Sequence, residues 1–269
     1  MNEYLEANRR LWDEWVDVNS RSDLYRLEEF KKGGSKLAPF IVDEVGDVAG
    51  KSLLHLQCHF GMDTLSWARL GAQVTGIDFS PRAVEVARDL AFELGIDARF
   101  IQSNVLEADR VLDERFDVVF TSIGVLGWLP DLPRWGEVVA HFVKPGGFFY
   151  ICELHPFAQV FDDEVAEPEL RFRYPYFTRQ EPIEIQTQGS YADLEADVKQ
   201  PVHYGWVHDM GEIVTVLAQN GLRIEYLHEY PFGIEVQFPF MKKRDDGRFY
   251  LPEGMAEIPL LFSLRARKG

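Results

Sequence analysis

Apolar and polar positions follow a few distinct rhythms along this chain, and the most informative stretch is residues 52–80, SLLHLQCHFGMDTLSWARLGAQVTGIDFS. Residues 53–56 form an apolar run short enough for a buried parallel strand, and residues 63–70 place Leu65, Ala68 and Arg69 at helical spacing. Residues 74–77 form a second apolar run, closed by Asp78. The pattern predicts strand, loop, helix and strand with an acid at the end. Downstream, residues 98–101 and 116–121 read as third and fourth strands, and residues 132–142 as a helix stopped by the turn Lys144-Pro145-Gly146-Gly147. Residues 148–152 read as a fifth strand. Helical spacing returns in residues 209–220 through Ile213, Val216 and Leu217, with Gly221 as its stop, and residues 222–227 and 260–266 read as two last strands.

Ligands of open parallel sheets bind at the carboxyl edge, where the loop after the first strand lies and where an acid ending the second strand can accept from ribose hydroxyls. Asp78 is thereby the leading candidate residue. The loop Gln57-Cys58-His59-Phe60-Gly61 runs into a helix amino end, whose free N–H groups favour an anionic ligand group. An ordinary turn carrying an exposed acid is the competing reading of this segment.

Residues 54–61 with Asp78 resemble the first and second motifs of class I S-adenosylmethionine-dependent methyltransferases, whose first loop usually reads acidic-x-Gly-x-Gly-x-Gly. His55 stands where the family has its acid, Gln57 and His59 where it has its first two glycines, and Gly61 keeps the third. The LQCHxG wording looks like that of a bacterial branch acting on small molecules. The resemblance implies an α/β, doubly wound, seven-stranded and mostly parallel sheet with its final strand antiparallel. It also implies S-adenosylmethionine as cofactor, with S-adenosylhomocysteine as product. The implied cofactor residues are Gln57, Cys58, His59, Gly61, Asp78 and Phe79, then Asn104 and Val105 at an adenine corner where Asn104 replaces the usual acid, and Ser122 after the fourth strand. Glycine permits positive φ and close backbone approach. Either Gln57 and His59 adopt compatible angles and offer side-chain hydrogen bonds, or cofactor binding has been lost; the order and spacing of the later motifs favour the first.

The expected organisation is an N-terminal helical lid in residues 1–45, a core in residues 46–155 and 208–269, and an inserted antiparallel cap in residues 156–207, where residues 170–174 and 183–186 alternate. Leu5, Leu11, Trp12 and Trp15 recur near helical spacing, which for the two leucines means a packed amphipathic face. Trp12, Trp15, Tyr25, Trp128, Tyr204 and Trp206 are the candidate acceptor pocket, with Phe157, Tyr176, Tyr191 and His203 as further cap aromatics. The same aromatics suit a homodimer contact, and both readings stay open.

Charge narrows the acceptor. A formal net charge of −16 over 269 residues, with no basic run beyond Lys242-Lys243-Arg244 beside a turn at Asp245-Asp246-Gly247, argues against a nucleic-acid substrate. Without a signal-like or bilayer-length apolar run, the default expectation is a cytoplasmic protein with no membrane partner, whose Cys58 and Cys152 are free, packed thiols. His155 and Glu153 follow the fifth strand at the carboxyl edge and are the first candidates for a base, with His203, Tyr204 and His208 in reserve. Their scatter matches no metal pattern, so no metal is expected. The leading expectation is methyl transfer to a small aromatic or heteroaromatic molecule, as in secondary metabolism. A catalytically silent S-adenosylmethionine or S-adenosylhomocysteine binder is the alternative, and a nicotinamide-dependent oxidoreductase is weaker because the glycine spacing of its phosphate loop is missing.

Overall fold

The computed structural model describes residues 3–269. Its centre is a seven-stranded sheet assembled from β1 (Ser52–Leu56), β2 (Gln73–Asp78), β3 (Ala98–Gln102), β4 (Phe116–Ser122), β5 (Val143–Leu154), β8 (Leu222–Tyr230) and β12 (Leu261–Lys268). The order across the sheet is β3-β2-β1-β4-β5-β12-β8, with β1 to β5 parallel and β12 antiparallel to both neighbours. The strand order reverses between β1 and β4, which puts the topological switch point, and the expected ligand crevice, at the carboxyl ends of those strands.

Helices cover both faces because the central strands are apolar on both sides. On one face α6 (Leu132–Phe142) and α7 (Met210–Gln219) bury Trp135, Val139, Phe142, Ile213 and Leu217 against Val119, Phe149 and Phe262. On the other, α3 (Pro39–Val45) and α4 (Met62–Arg69) bury Ile41, Val45 and Trp67 against Leu53 and Phe120, while α5 (Pro81–Leu94) packs Val84, Ala87 and Leu90 around Phe100. The turn at Lys144-Pro145-Gly146-Gly147 is accommodated inside β5. Its register against β4 jumps from Phe116 opposite Val143 to Val118 opposite Phe148, with Gly146 at φ 78°.

The N-terminal α1 (Glu3–Asn19) lies across the carboxyl edge and is fastened on two sides. Asn8 donates to the Tyr204 carbonyl at 2.8 Å and accepts from the Tyr204 N–H at 2.8 Å, which couples α1 to β7 (Val202–Gly205). At its far end Asp13 accepts from Ser80 Oγ and Asp17 from Arg82, which couples it to the start of α5. A short α2 (Leu27–Lys31) follows it.

The inserted segment is less regular than its alternation predicts. Residues 183–186 do form β6 (Ile183–Gln186), antiparallel to β7. Residues 170–174 form no strand and contribute a single bridge between Phe161 and Phe172, because Phe172 and its neighbours find no long partner there and stay exposed. A second small sheet of β9 (Phe232–Gly233), β10 (Lys242–Lys243) and β11 (Phe249–Tyr250) turns at Asp245-Asp246-Gly247. Among the described residues, no helix is long and apolar enough to cross a membrane.

Candidate functional site

The loop between β1 and α4 explains how a chain without the usual glycines makes this turn. Gln57 and His59 take φ values of 58° and 51°, two of the three non-glycine residues in the left-handed region among those described. That conformation costs a side-chain-bearing residue on the order of 1 kcal/mol. The loop is held from below. The Cys58 N–H donates to the Ile77 carbonyl, the His59 N–H to Asp78 Oδ2 at 2.8 Å, and the Gln57 amide donates to the Val125 carbonyl at 3.1 Å. Gly61 is obligatory: at φ 83°, an added Cβ would stand 2.8 Å from the Phe100 ring.

Asp78 is buried at the end of β2, and its other oxygen accepts from the Ser80 N–H at 2.9 Å. Burial raises its pKa from 3.8 to about 6, and nearby Asp13 adds to the rise, against the lowering by those backbone N–H groups. The carboxylate keeps acceptor capacity beyond these backbone bonds, since it offers about four acceptor sites.

His55 sits beneath the loop at the end of β1. Its Nδ1 lies 2.8 Å from Thr64 Oγ1 and its Nε2 3.2 Å from Ser122 Oγ, and Ser122 Oγ in turn donates to Asp63 Oδ2 at 2.9 Å. Because the Ser122 proton is given to Asp63, Nε2 carries the imidazole proton and Nδ1 accepts from Thr64. Burial holds His55 neutral, with a pKa of about 3. The position where the resembled motif carries an acid thus holds an uncharged relay ending on the Asp63 carboxylate in the first turn of α4.

Of the candidate cofactor residues, Gln57, His59, Asp78 and Ser122 converge here. Asn104 caps the next turn, its side-chain oxygen accepting from the Leu106 N–H at 3.1 Å, with Val105 buried behind it. The Phe79 carbonyl accepts from Gln102, and Cys58 is buried with its thiol pKa raised by burial.

Above the loop, α1 delivers Trp12 and Trp15. Trp12 meets the rings of Trp15, His59 and Trp128 at centroid distances of 5.1, 5.1 and 5.2 Å, while Trp15 donates to the Gly189 carbonyl at 2.9 Å. The Tyr25 hydroxyl contacts His59 Nδ1 at 3.3 Å and hydrogen-bonds the Tyr191 hydroxyl. His203 stacks on Trp128 at 5.1 Å and is kept neutral by burial, at a pKa of about 4. Gln57 Oε1, His59 Nε2 and His203 Nδ1 are buried with no hydrogen-bond partner among the described residues. Tyr204 and Trp206 stand apart from this box, packing on Tyr4 at 4.6 and 6.5 Å.

The two base candidates are otherwise engaged. Glu153 is 1% exposed, and its carboxylate accepts from the N–H groups of Gly124, Val125, Leu126 and Leu154, fixing the loop after β4. His155 accepts from the Phe157 N–H at Nδ1, so its Nε2 proton points to Glu229, 2.8 Å away. His208 bridges the Leu129 carbonyl and Glu212. Sequence reasoning passed over Lys36, Asp63 and Glu235. Asp63 reads as an ordinary acid in a first helical turn, and Lys36 and Glu235 lie in loops without periodicity.

Residues 53–147 match the family described as Methyltransferase domain. A ubiquinone biosynthesis O-methyltransferase of Serratia proteamaculans is 34% identical over 116 residues, covering 43% of this chain and 48% of the relative. The chain thus spans about half the length of that curated relative. Among solved structures, a putative S-adenosylmethionine-dependent methyltransferase of Listeria monocytogenes superposes with a TM-score of 0.61 at 17% identity, covering 86% of this chain and 96% of the other. One of Mesorhizobium loti superposes with a TM-score of 0.59 at 18% identity, covering 88% and 100%. The chain carries a methyltransferase domain and has the class I S-adenosylmethionine-dependent methyltransferase fold.

Proposed function

We propose that this protein is an S-adenosylmethionine-dependent methyltransferase acting on a small aromatic or heteroaromatic acceptor. The observation that carries this reading is the loop after β1: Gln57 and His59 hold a left-handed backbone, the conformation glycine supplies elsewhere in the family, and Asp78 braces them from β2. The orphaned polar atoms Gln57 Oε1 and His59 Nε2 fit a polar ligand that supplies their missing partners.

In this reading Asp78 accepts from ribose hydroxyls through its remaining acceptor capacity, and Asn104 and Val105 border the base. When bound, the cofactor supplies a methyl group on a cationic sulfur, already activated for displacement. The chain's work is positioning and drying. Trp12, Trp15, Trp128 and Tyr25 wall a box that excludes water and offers planar apolar faces, and Tyr191 adds a phenol at its rim. Glu153 serves this box by holding the loop that carries Trp128, not by taking a proton.

The Serratia relative's name specifies transfer to oxygen, which makes phenols the first acceptors to test. The test incubates the purified protein with S-adenosylmethionine and a panel of phenols, heteroaromatic hydroxyls and amines. It follows S-adenosylhomocysteine release and the gain of one methyl by mass. A product with a phenol or heteroaromatic supports the reading. The commitment of Glu153 and His155 to structural bonds favours one competing reading, a silent cofactor binder, which predicts saturable cofactor binding with no product from any acceptor.

A further inference from the structure

We propose that Lys36, Asp63 and Glu235 form a clamp for a zwitterionic amino-acid group, and that it holds the methionine tail of the cofactor. The inference rests on the reading above and deepens it, because two of these residues lie outside the 53–147 methyltransferase domain.

The three charges meet beside the loop after β1. Asp63 opens α4 and receives the Ser122 hydroxyl, the end of the relay from His55. Glu235 follows β9 and has Lys36 Nζ 3.7 Å from its Oε1. Its carboxylate is half-buried, with 39% of the side chain exposed, and Lys36 is its one ion-pair partner among the described residues; desolvation raises its pKa, with Lys36 opposing the rise and Asp63 adding to it. Asp63 is raised by burial as well, against Ser122 and Lys36. Lys36 is positioned by its neighbours. Its Nζ donates to the Leu24 carbonyl at 3.1 Å and lies 4.8 Å from the centre of the Tyr25 ring, and its N–H is held by Ser66 Oγ.

Two carboxylates share one ammonium here, so the set lacks a positive charge. Two half-buried carboxylates facing a single ammonium repel one another, and a ligand ammonium placed between them offsets that repulsion. A ligand carboxylate then finds its counter-charge on Lys36. Gln57 Oε1, buried and unpartnered on the adjoining loop, is a further acceptor suited to an ammonium donor. The arrangement also accounts for His55. With both ring nitrogens engaged by Thr64 and Ser122, the neutral imidazole has neither a charge nor a free acceptor for an ammonium, and its contact with Ser122 instead helps to fix the carboxylate that has both.

The experiment measures binding of S-adenosylhomocysteine and 5′-methylthioadenosine, which lacks the amino-acid tail, by calorimetry to the full chain and to Asp63→Asn, Glu235→Gln and Lys36→Met. The expected result is at least about tenfold weaker S-adenosylhomocysteine binding in Asp63→Asn and Lys36→Met, with a smaller loss in Glu235→Gln and unchanged binding of 5′-methylthioadenosine in all three. Retained 5′-methylthioadenosine binding also certifies that each variant is folded. Equal weakening of both ligands, or unchanged S-adenosylhomocysteine affinity, overturns the clamp while leaving the cofactor reading intact. Failure of the unmodified protein to bind either ligand overturns the cofactor reading itself, and the clamp with it.

Discussion

Asp78 holds the loop through its backbone N–H partners and, in the proposed function, accepts from the cofactor's ribose. Both roles need the carboxylate. Its pKa is raised from 3.8 to about 6, so the folded protein binds its proton more tightly than the unfolded chain does. Stability therefore falls as pH rises from about 4 to about 6, by roughly 3 kcal/mol if the group acts alone. Cofactor affinity runs the other way. S-adenosylhomocysteine binding should weaken as pH falls through about 6, and Asp78→Asn should bind weakly at all pH values; a step near 6 that survives in Asp78→Asn would assign it to another group. Gly61→Ala should cost about 2 kcal/mol or more, since its Cβ meets the Phe100 ring at 2.8 Å and its φ is 83°. His59→Gly should stay within about 1 kcal/mol, because glycine relieves the left-handed strain while adding chain entropy. Chemical denaturation measures both, and equal losses would mean that the loop tolerates no exchange. Glu153→Gln should lower stability by about 1 to 3 kcal/mol, because one carboxamide oxygen cannot serve four backbone donors. A loss of turnover at unchanged melting temperature would return Glu153 to the list of bases.

At the scale of elements, α1 acts as a strap whose fastening is local and testable. Asn8→Ala removes both bonds to Tyr204, and amide exchange across α1 should accelerate by about tenfold while β1 and β4 keep their protection. Uniform acceleration would mean that α1 is part of the core rather than a strap. The elements legible from sequence are those with strong periodicity and local stops. Residues 132–142 read as a helix that the structure reproduces as Leu132–Phe142, because Asp131 caps one end and Pro145 follows the other. The last strand reads one residue early at its start and two residues early at its end, and residues 170–174 read as a strand through an alternation that meets only one bridging partner. Alternation describes one face of a segment and leaves its neighbour unspecified. The same limit governs the site. Asp78 is a candidate from its place at a strand end and Gln57 from the resemblance of its loop, whereas Lys36, Asp63 and Glu235 meet only through the fold, from three segments apart in sequence.

For the molecule as a whole, a parallel sheet with its switch point between β1 and β4, an aromatic box strapped over that point, and a surface of net charge −16 belong to one account: a cofactor held at the sheet edge and a small acceptor enclosed above it. The account's central claim is the cofactor. It is tested most directly by calorimetric titration of the purified protein with S-adenosylmethionine, S-adenosylhomocysteine and NADH in parallel. The account predicts saturable binding of both sulfur compounds, one per chain, and none of NADH. Binding of NADH alone, or of none of the three, would contradict it.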